Sequence, residues 1–406
     1  MEYKVDNQIK GSLSHEQHHP NRRIPNMAAM TPRERVLTAL NHEEPDRVPL
    51  DLGGLTTTIE TDPYEELKKY LGIEGETKAF VRDHVAPHQE VLDKFGIDTR
   101  YIRVKPPVNF KVKIDPDNSY VDEWGTRWKK PPTSLYWDPV DHPLKAATIE
   151  DLKTHPWPDP DDPGRYEGLK EEAKRLKEET DFAVIGDQPV LGLFESGWVF
   201  LCGPEKFFTD MALNPDFIHA FFEKLTDLQI RYYTNYLEQV GEYIDVIMTS
   251  DDLGTERGPL VSMEHFRELV KPYQEKLWKI IKQYTDAKLF LHSCGSVTRF
   301  IPDLIEMGVD ILNPVQVAAK EMDTKKLKSE FGDQITFWGG IDTQSVLPFG
   351  TPDDVEEEVK KRIADLAPGG GYVLTAVHNI QKGVSPENFC RMYEAANKYG
   401  RYPISI

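Results

Sequence analysis

His292 and Cys294 are separated by one residue, follow the apolar run 289–291 and precede Gly295. In an extended chain, residues i and i+2 point to the same side. An imidazole and a thiol at this spacing can therefore grip one cation. Zinc suits mixed imidazole and thiolate ligands, and a catalytic zinc takes about three protein ligands and leaves one position open. The third ligand has to come from elsewhere in the chain. His378, beyond the last apolar run, is the leading candidate, and Asp252 is the alternative. Taken singly, a buried cysteine or histidine is also a plain packing or hydrogen-bonding residue. Cys202 and Cys390 sit in helix-like surroundings and read that way.

These residues need elements to hold them. From Asp181 onward, short apolar runs alternate with amphipathic stretches. The runs are 182–185, 244–248, 289–291, 310–312, 335–338 and 372–374, and helical patterns cover 215–238, 263–284, 297–307 and 353–366. Strand and helix alternating in this way imply an α/β fold with a parallel sheet. An earlier helix is signalled at Thr31-Pro32-Arg33-Glu34, with a capping residue, a proline at the first position and a glutamate at the third. The segment 48–52 then reads as a first buried strand. One strand is still needed for an eight-stranded (β/α)8 TIM barrel, and either 79–81 or 100–104 can supply it. The stretch 99–162 is rich in Pro, Trp and Tyr and reads as a β-hairpin insertion with loops.

Polar residues follow each expected strand: Asp51, then Asp187-Gln188, Ser250-Asp251-Asp252, His292-Ser293-Cys294, Asn313, Gly339-Gly340-Ile341-Asp342, and His378-Asn379. In a parallel barrel those ends share one face, which carries the chemistry. Asp252, Asp187 and Asn379 are the catalytic candidates, and Asp51, Gln188, Asp251, Trp338 and Asp342 are expected to line the substrate. For Asp251 and Asp252 helix capping competes with a functional role, and Asp187 competes as a strand-end cap.

The chain of 406 residues carries 49 basic and 68 acidic residues, a formal net charge of −19. That argues against non-specific nucleic-acid binding and against attraction to anionic lipid. Three cysteines, odd in number and far apart, are no disulfide framework. No stretch approaches the roughly 20 apolar residues of a membrane span. A cytoplasmic protein is expected, with residues 1–30 as a mobile polar extension containing His15, His18 and His19, and 31–406 as a single barrel domain.

Several of these segments resemble the uroporphyrinogen decarboxylase superfamily. They are Thr31-Pro32-Arg33-Glu34-Arg35-Val36 through Asp46-Arg47-Val48-Pro49, Ser250-Asp251-Asp252-Leu253-Gly254, Leu291-His292-Ser293-Cys294-Gly295, Trp338-Gly339-Gly340-Ile341-Asp342, and Gly369-Gly370-Gly371-Tyr372 through His378-Asn379-Ile380. The resemblance implies the barrel independently of the strand pattern. True decarboxylases of the superfamily carry an arginine-rich N-terminal segment for the substrate carboxylates, whereas here 50–55 holds none. The other branch, zinc methyltransferases working with corrinoid proteins, uses a His-x-Cys pair and a later Cys. This chain keeps His292 and Cys294 and has His378 where the later Cys is expected.

The resemblance therefore implies zinc on His292, Cys294 and His378, with Asp252 orienting substrate or a ligand imidazole and Asn379 donating a hydrogen bond near the ion. Two imidazoles and one thiolate leave more positive charge on zinc than one imidazole and two thiolates, which suits polarising a methyl ether oxygen. The expected partners are a small methyl donor and a corrinoid (cobalamin) protein, with a homodimer left open. Trp124, Trp128 and Tyr136 of the insertion are candidates for covering the substrate, with hairpin packing as the competing role. A metal-free decarboxylase using Asp51 or Asp187 is the alternative function. A non-catalytic corrinoid or tetrapyrrole carrier is the third.

Overall fold

A computed structural model describes residues 29–406, so the expectation for the N-terminal extension and its histidines lies outside the described residues. Parallel strands β1 Thr99–Ile102, β2 Ala183–Gly186, β3 Val246–Ser250, β4 Lys288–His292, β5 Ile311–Asn313, β6 Thr336–Ile341 and β7 Tyr372–Ala376 pair in chain order into one curled sheet. The residues of β2 to β7 are largely buried on both faces, which explains why the sequence shows them as continuous apolar runs.

The extended segment 48–52 closes the ring. Leu50 bridges Leu374 in parallel, the Asp51 amide donates to the Leu374 carbonyl at 3.1 Å, and on the other side the Asp98 amide donates to the Leu50 carbonyl at 2.9 Å. The eighth position is thus filled as expected, and of the two candidates for the remaining strand the structure takes the second, Thr99–Ile102. Ala79–Val81 instead pairs antiparallel with His84–Val85 in a small hairpin over the mouth. The insertion accordingly begins after β1, and it is a three-stranded antiparallel sheet of Ser119–Val121, Arg127–Lys129 and Asp138–Asp141 rather than a hairpin.

The barrel interior is filled by Ile185, Val246, Met248, Phe290, Ile311, Trp338 and Val373. The helix Pro32–Leu40 plugs its N-terminal end with Val36 and Leu40. That helix forms where expected, and its Thr31–Glu34 capping box is complete. Below the strands, Asp98 is fully buried. It accepts from Arg35 Nη1 at 2.6 Å, Arg47 Nη1 at 2.8 Å and the Leu50 amide at 2.8 Å, which fastens the closing segment to β1. Among the described residues no helix is long and apolar enough to cross a membrane.

Candidate metal centre

His292 is the last residue of β4, level with Ser250 on β3 and Asn313 on β5. The next residues are clamped on both sides. The Leu253 amide donates to Ser293 Oγ at 3.1 Å, the Cys294 amide to Asp252 Oδ1 at 2.7 Å, and the Gly295 amide to Gln316 Oε1 at 2.6 Å. Gly295 has φ +89°, and a Cβ there would lie 2.5 Å from the Gly254 backbone, so the loop tolerates no side chain at this point.

Held this way, His292 Nε2 lies 3.3 Å from Cys294 Sγ. The ring of His378, just past β7, sits with its centroid 5.2 Å from that of His292 at 77°. One donor atom from each of the three residues lies within 4.8 Å of the other two. Zinc–ligand bonds of about 2.0–2.3 Å set tetrahedral edges of roughly 3.3–3.7 Å, so the His292–Cys294 separation is already that of two bound ligands. The outer side of the His292 ring is fixed as well. Asn313 Nδ2 donates to the Trp338 carbonyl at 2.9 Å, so Asn313 Oδ1 is the acceptor for His292 Nδ1–H at 2.6 Å. The lone pair of Nε2 is left facing Cys294.

The electrostatics suit a cation. Burial pushes the His292 imidazole down to about 4, and burial together with His292 does the same for His378, against the pull of Asp252. Both rings are therefore neutral, the form that ligates. Burial, then Asp252 and Glu195, raise the Cys294 thiol well above its ordinary range. A divalent ion reverses that last preference, because metal binding displaces the thiol proton. The donor set, its spacing and the Asn313 anchor fit zinc. His378 needs an adjustment: its Nδ1 accepts from the Asn379 amide at 2.8 Å, and ligation through either ring nitrogen requires that bond to be released. Asp252 Oδ1 is 3.9 Å from His292 Nε2, close enough to orient the ring or to compete for the third position.

The other expected site residues are placed differently. Asp51 is fully buried and accepts from Thr99 Oγ1 at 2.5 Å, Tyr101 OH at 2.8 Å and Trp338 Nε1 at 2.9 Å. Its carboxylate is thus joined to the Trp338 ring inside the barrel. Asp251 accepts from the Phe194 and Glu195 amides at 2.9 and 2.7 Å and from Gln274 Nε2 at 2.6 Å, so it anchors the start of the helical segment following β2. Asp342 accepts from the Gln344 and Ser345 amides at 2.7 and 3.2 Å and shapes the turn after β6.

Asp187 accepts from Arg103 Nε at 2.9 Å and the Leu55 amide at 3.0 Å, holding the loop after the closing segment. Gln188 Oε1 is buried and finds no donor among the described residues, which leaves it available to a ligand. Asn379 does donate from its side chain, but to the Leu55 carbonyl and to His84 Nε2. Trp124 and Trp128 are buried within the insertion, whereas exposed Tyr136 reaches Gln381 Oε1 at 2.9 Å.

Sequence reasoning missed Glu195, the anchoring role of Asn313, and His84. The Glu195 carboxyl is raised well above its usual range by burial and then by Asp252 and Asp251, with Arg82 alone opposing. Asn313 was in view as a strand-end residue, and the register that sets it beside His292 was its signal. His84 lies on a hairpin outside the barrel and carries no such signal.

A closed α/β barrel with an imidazole–thiol–imidazole cluster at the C-terminal ends of its strands is the class of protein this arrangement defines. The chain belongs to the uroporphyrinogen decarboxylase (URO-D) family, whose profile matches residues 139–399. It is 23% identical over 269 residues to a uroporphyrinogen decarboxylase of Pseudoalteromonas atlantica, covering 62% of this chain and 69% of that one. It is 26% identical over 195 residues to the methylcobamide:CoM methyltransferase MtbA of Methanosarcina mazei, covering 48% of this chain and 53% of the relative. A solved methyltransferase from Methanosarcina mazei shares the fold with a TM-score of 0.59 and 19% identity, covering 91% of this chain and 99% of its own.

Proposed function

We propose that this protein is a zinc-dependent methyltransferase that moves a methyl group between a small methylated donor, of the methyl ether type, and a corrinoid protein. The observation that carries the reading is the 3.3 Å approach of His292 Nε2 to Cys294 Sγ beside the His378 ring. Methyltransferases among the relatives support it. His292, Cys294 and His378 would hold the ion, and bound zinc supplies Lewis acidity toward the donor oxygen. Asp252 steadies the Cys294 amide and faces His292, which keeps both ligands in place. In the overall reaction the donor's O–CH3 bond breaks, oxygen keeps the electron pair and gains a proton, and the methyl group passes to the reduced corrinoid. Glu195, whose carboxyl is raised by burial and then by Asp252 and Asp251, is the group we assign to supply that proton.

The decarboxylase reading relies on Asp51 or Asp187, and both carboxylates are occupied by protein donors. The deciding experiment combines elemental analysis with supplied cob(I)alamin and a panel of methyl ethers, followed by cobalt absorbance. One zinc per chain and methyl-cobalt formation are expected. A metal-free protein that releases carbon dioxide from a porphyrinogen would overturn the proposal.

A further inference from the structure

The mouth of the barrel carries different side chains on its two sides. Asp252 and Glu195 follow β3 and β2, while the seam between β7, the 48–52 segment and β1 carries His84, Asn379 and Arg103. His84 is held by its backbone, which bridges Glu60, and by its ring. The Thr58 amide donates to Asn379 Oδ1 at 2.8 Å, which fixes Asn379 Nδ2 as the donor side of that amide. Nδ2 then donates to the Leu55 carbonyl at 2.9 Å and to His84 Nε2 at 3.1 Å. Because Nε2 accepts, the ring proton of neutral His84 sits on Nδ1. That Nδ1 is buried and finds no acceptor among the described residues. Folded proteins seldom leave a buried donor unanswered, because its desolvation goes uncompensated.

The surroundings indicate what would answer it. The Arg103 guanidinium lies 4.0 Å over the Phe80 ring, and that of Arg82 lies 3.8 Å over Trp128. Burial, His378, Arg82 and Arg103 all oppose a charge on His84, with Asp83 alone favouring it, so the ring is a neutral donor. A cationic ligand end here would meet the hydrogen of an N–H group, with Arg82 close by and Arg103 already paired with Asp187 at 2.9 Å. An oxygen with lone pairs would meet a partner.

We propose that His84 Nδ1–H donates a hydrogen bond to an acceptor oxygen of the bound small molecule, selecting an oxygenated, neutral or anionic methyl donor over a methylammonium. That the bound molecule gives up a methyl group rests on the methyl-transfer reading, whereas the recognition contact does not. The test is calorimetric titration of the full chain at neutral pH with 4-methoxybenzoate and with tetramethylammonium. Wild type is compared with His84→Phe, which keeps a ring and removes the N–H, and with His84→Asn, which keeps an N–H. Zinc content and melting temperature are read in parallel.

Wild type should bind the ether and discriminate against the ammonium ion. His84→Phe should weaken ether binding by about tenfold at unchanged zinc content, and His84→Asn should recover part of it. If His84→Phe does not fold, the wild-type preference and the His84→Asn affinity still decide. Equal affinity in His84→Phe, tighter binding of tetramethylammonium, or no ether binding at millimolar concentration would each overturn the proposal. A zinc-free, transfer-inactive chain with His84-dependent binding would sink the methyl-transfer reading alone. An active zinc protein indifferent to His84 would sink this contact alone.

Discussion

Asn313 Oδ1 lies 2.6 Å from His292 Nδ1, across the register that sets the last residues of β4 and β5 side by side. The nitrogen of the same amide is pinned to the Trp338 carbonyl, so the acceptor cannot turn away. One neutral side chain thereby decides which nitrogen of His292 is free to ligate. Replacing Asn313 by Ala should weaken zinc binding about 10- to 100-fold, as removal of such outer partners does elsewhere. Competition with a chelating dye measures it, and unchanged affinity would show that the His292 ring is held by other contacts.

The three ligands should not be equal. Cys294→Ala and His292→Ala are expected to purify without zinc. His378→Ala should keep a weaker fraction, because His378 must first give up its bond from the Asn379 amide and because Asp252 stands close to the site. Elemental analysis of the variants reads the order. Complete loss in His378→Ala would make that ring a full ligand and remove Asp252 from consideration.

Stability at the closed end of the barrel depends on Asp98. Its loss leaves Arg35 and Arg47, both largely buried, short of a counter-charge and frees the Leu50 amide. Asp98→Ala should lower the unfolding free energy by roughly 3–5 kcal/mol. Denaturant titration gives the value, and a change under 1 kcal/mol, the range ordinary for exposed ion pairs, would rule the role out.

Glu60 makes stability depend on pH. Burial raises its carboxyl to about 7 in the folded chain, against 4.5 for the unperturbed group. Below 4.5 both states are protonated and nothing is lost. As pH rises from 4.5 through 7 the unfolded chain ionises first, so the folded state loses ground. Glu60→Gln keeps a neutral amide opposite Gln381 and should melt increasingly above wild type between pH 5 and pH 8. Parallel melting curves across that range would contradict the buried, protonated state.

The parallel strands were legible because burial on both faces writes each as an apolar run, and the cluster was legible because its members end those runs. The substrate-lining residues were less so. Position at a strand end does not reveal whether a carboxylate faces the mouth or turns to its neighbours, and Asp51, Asp251 and Asp342 all turned to backbone or side-chain donors. The β1 strand was legible only as one of two candidates. Thr99–Ile102 carries Arg100, whose guanidinium lies 3.5 Å from the Phe182 ring centroid, and a charged residue inside a four-residue strand masks the apolar signal. His84 lay beyond reach because only the tertiary fold brings the small hairpin over Asn379.

The closing segment at 48–52 is stitched to residues from both distant and nearer parts of the chain, Leu374 on one flank and Asp98 on the other. During synthesis the seam therefore stays open until β7 has emerged from the ribosome. Until then two bare strand edges face solvent, inviting mispairing with other nascent chains. Closure of this barrel is therefore a late event, set by the arrival of β7.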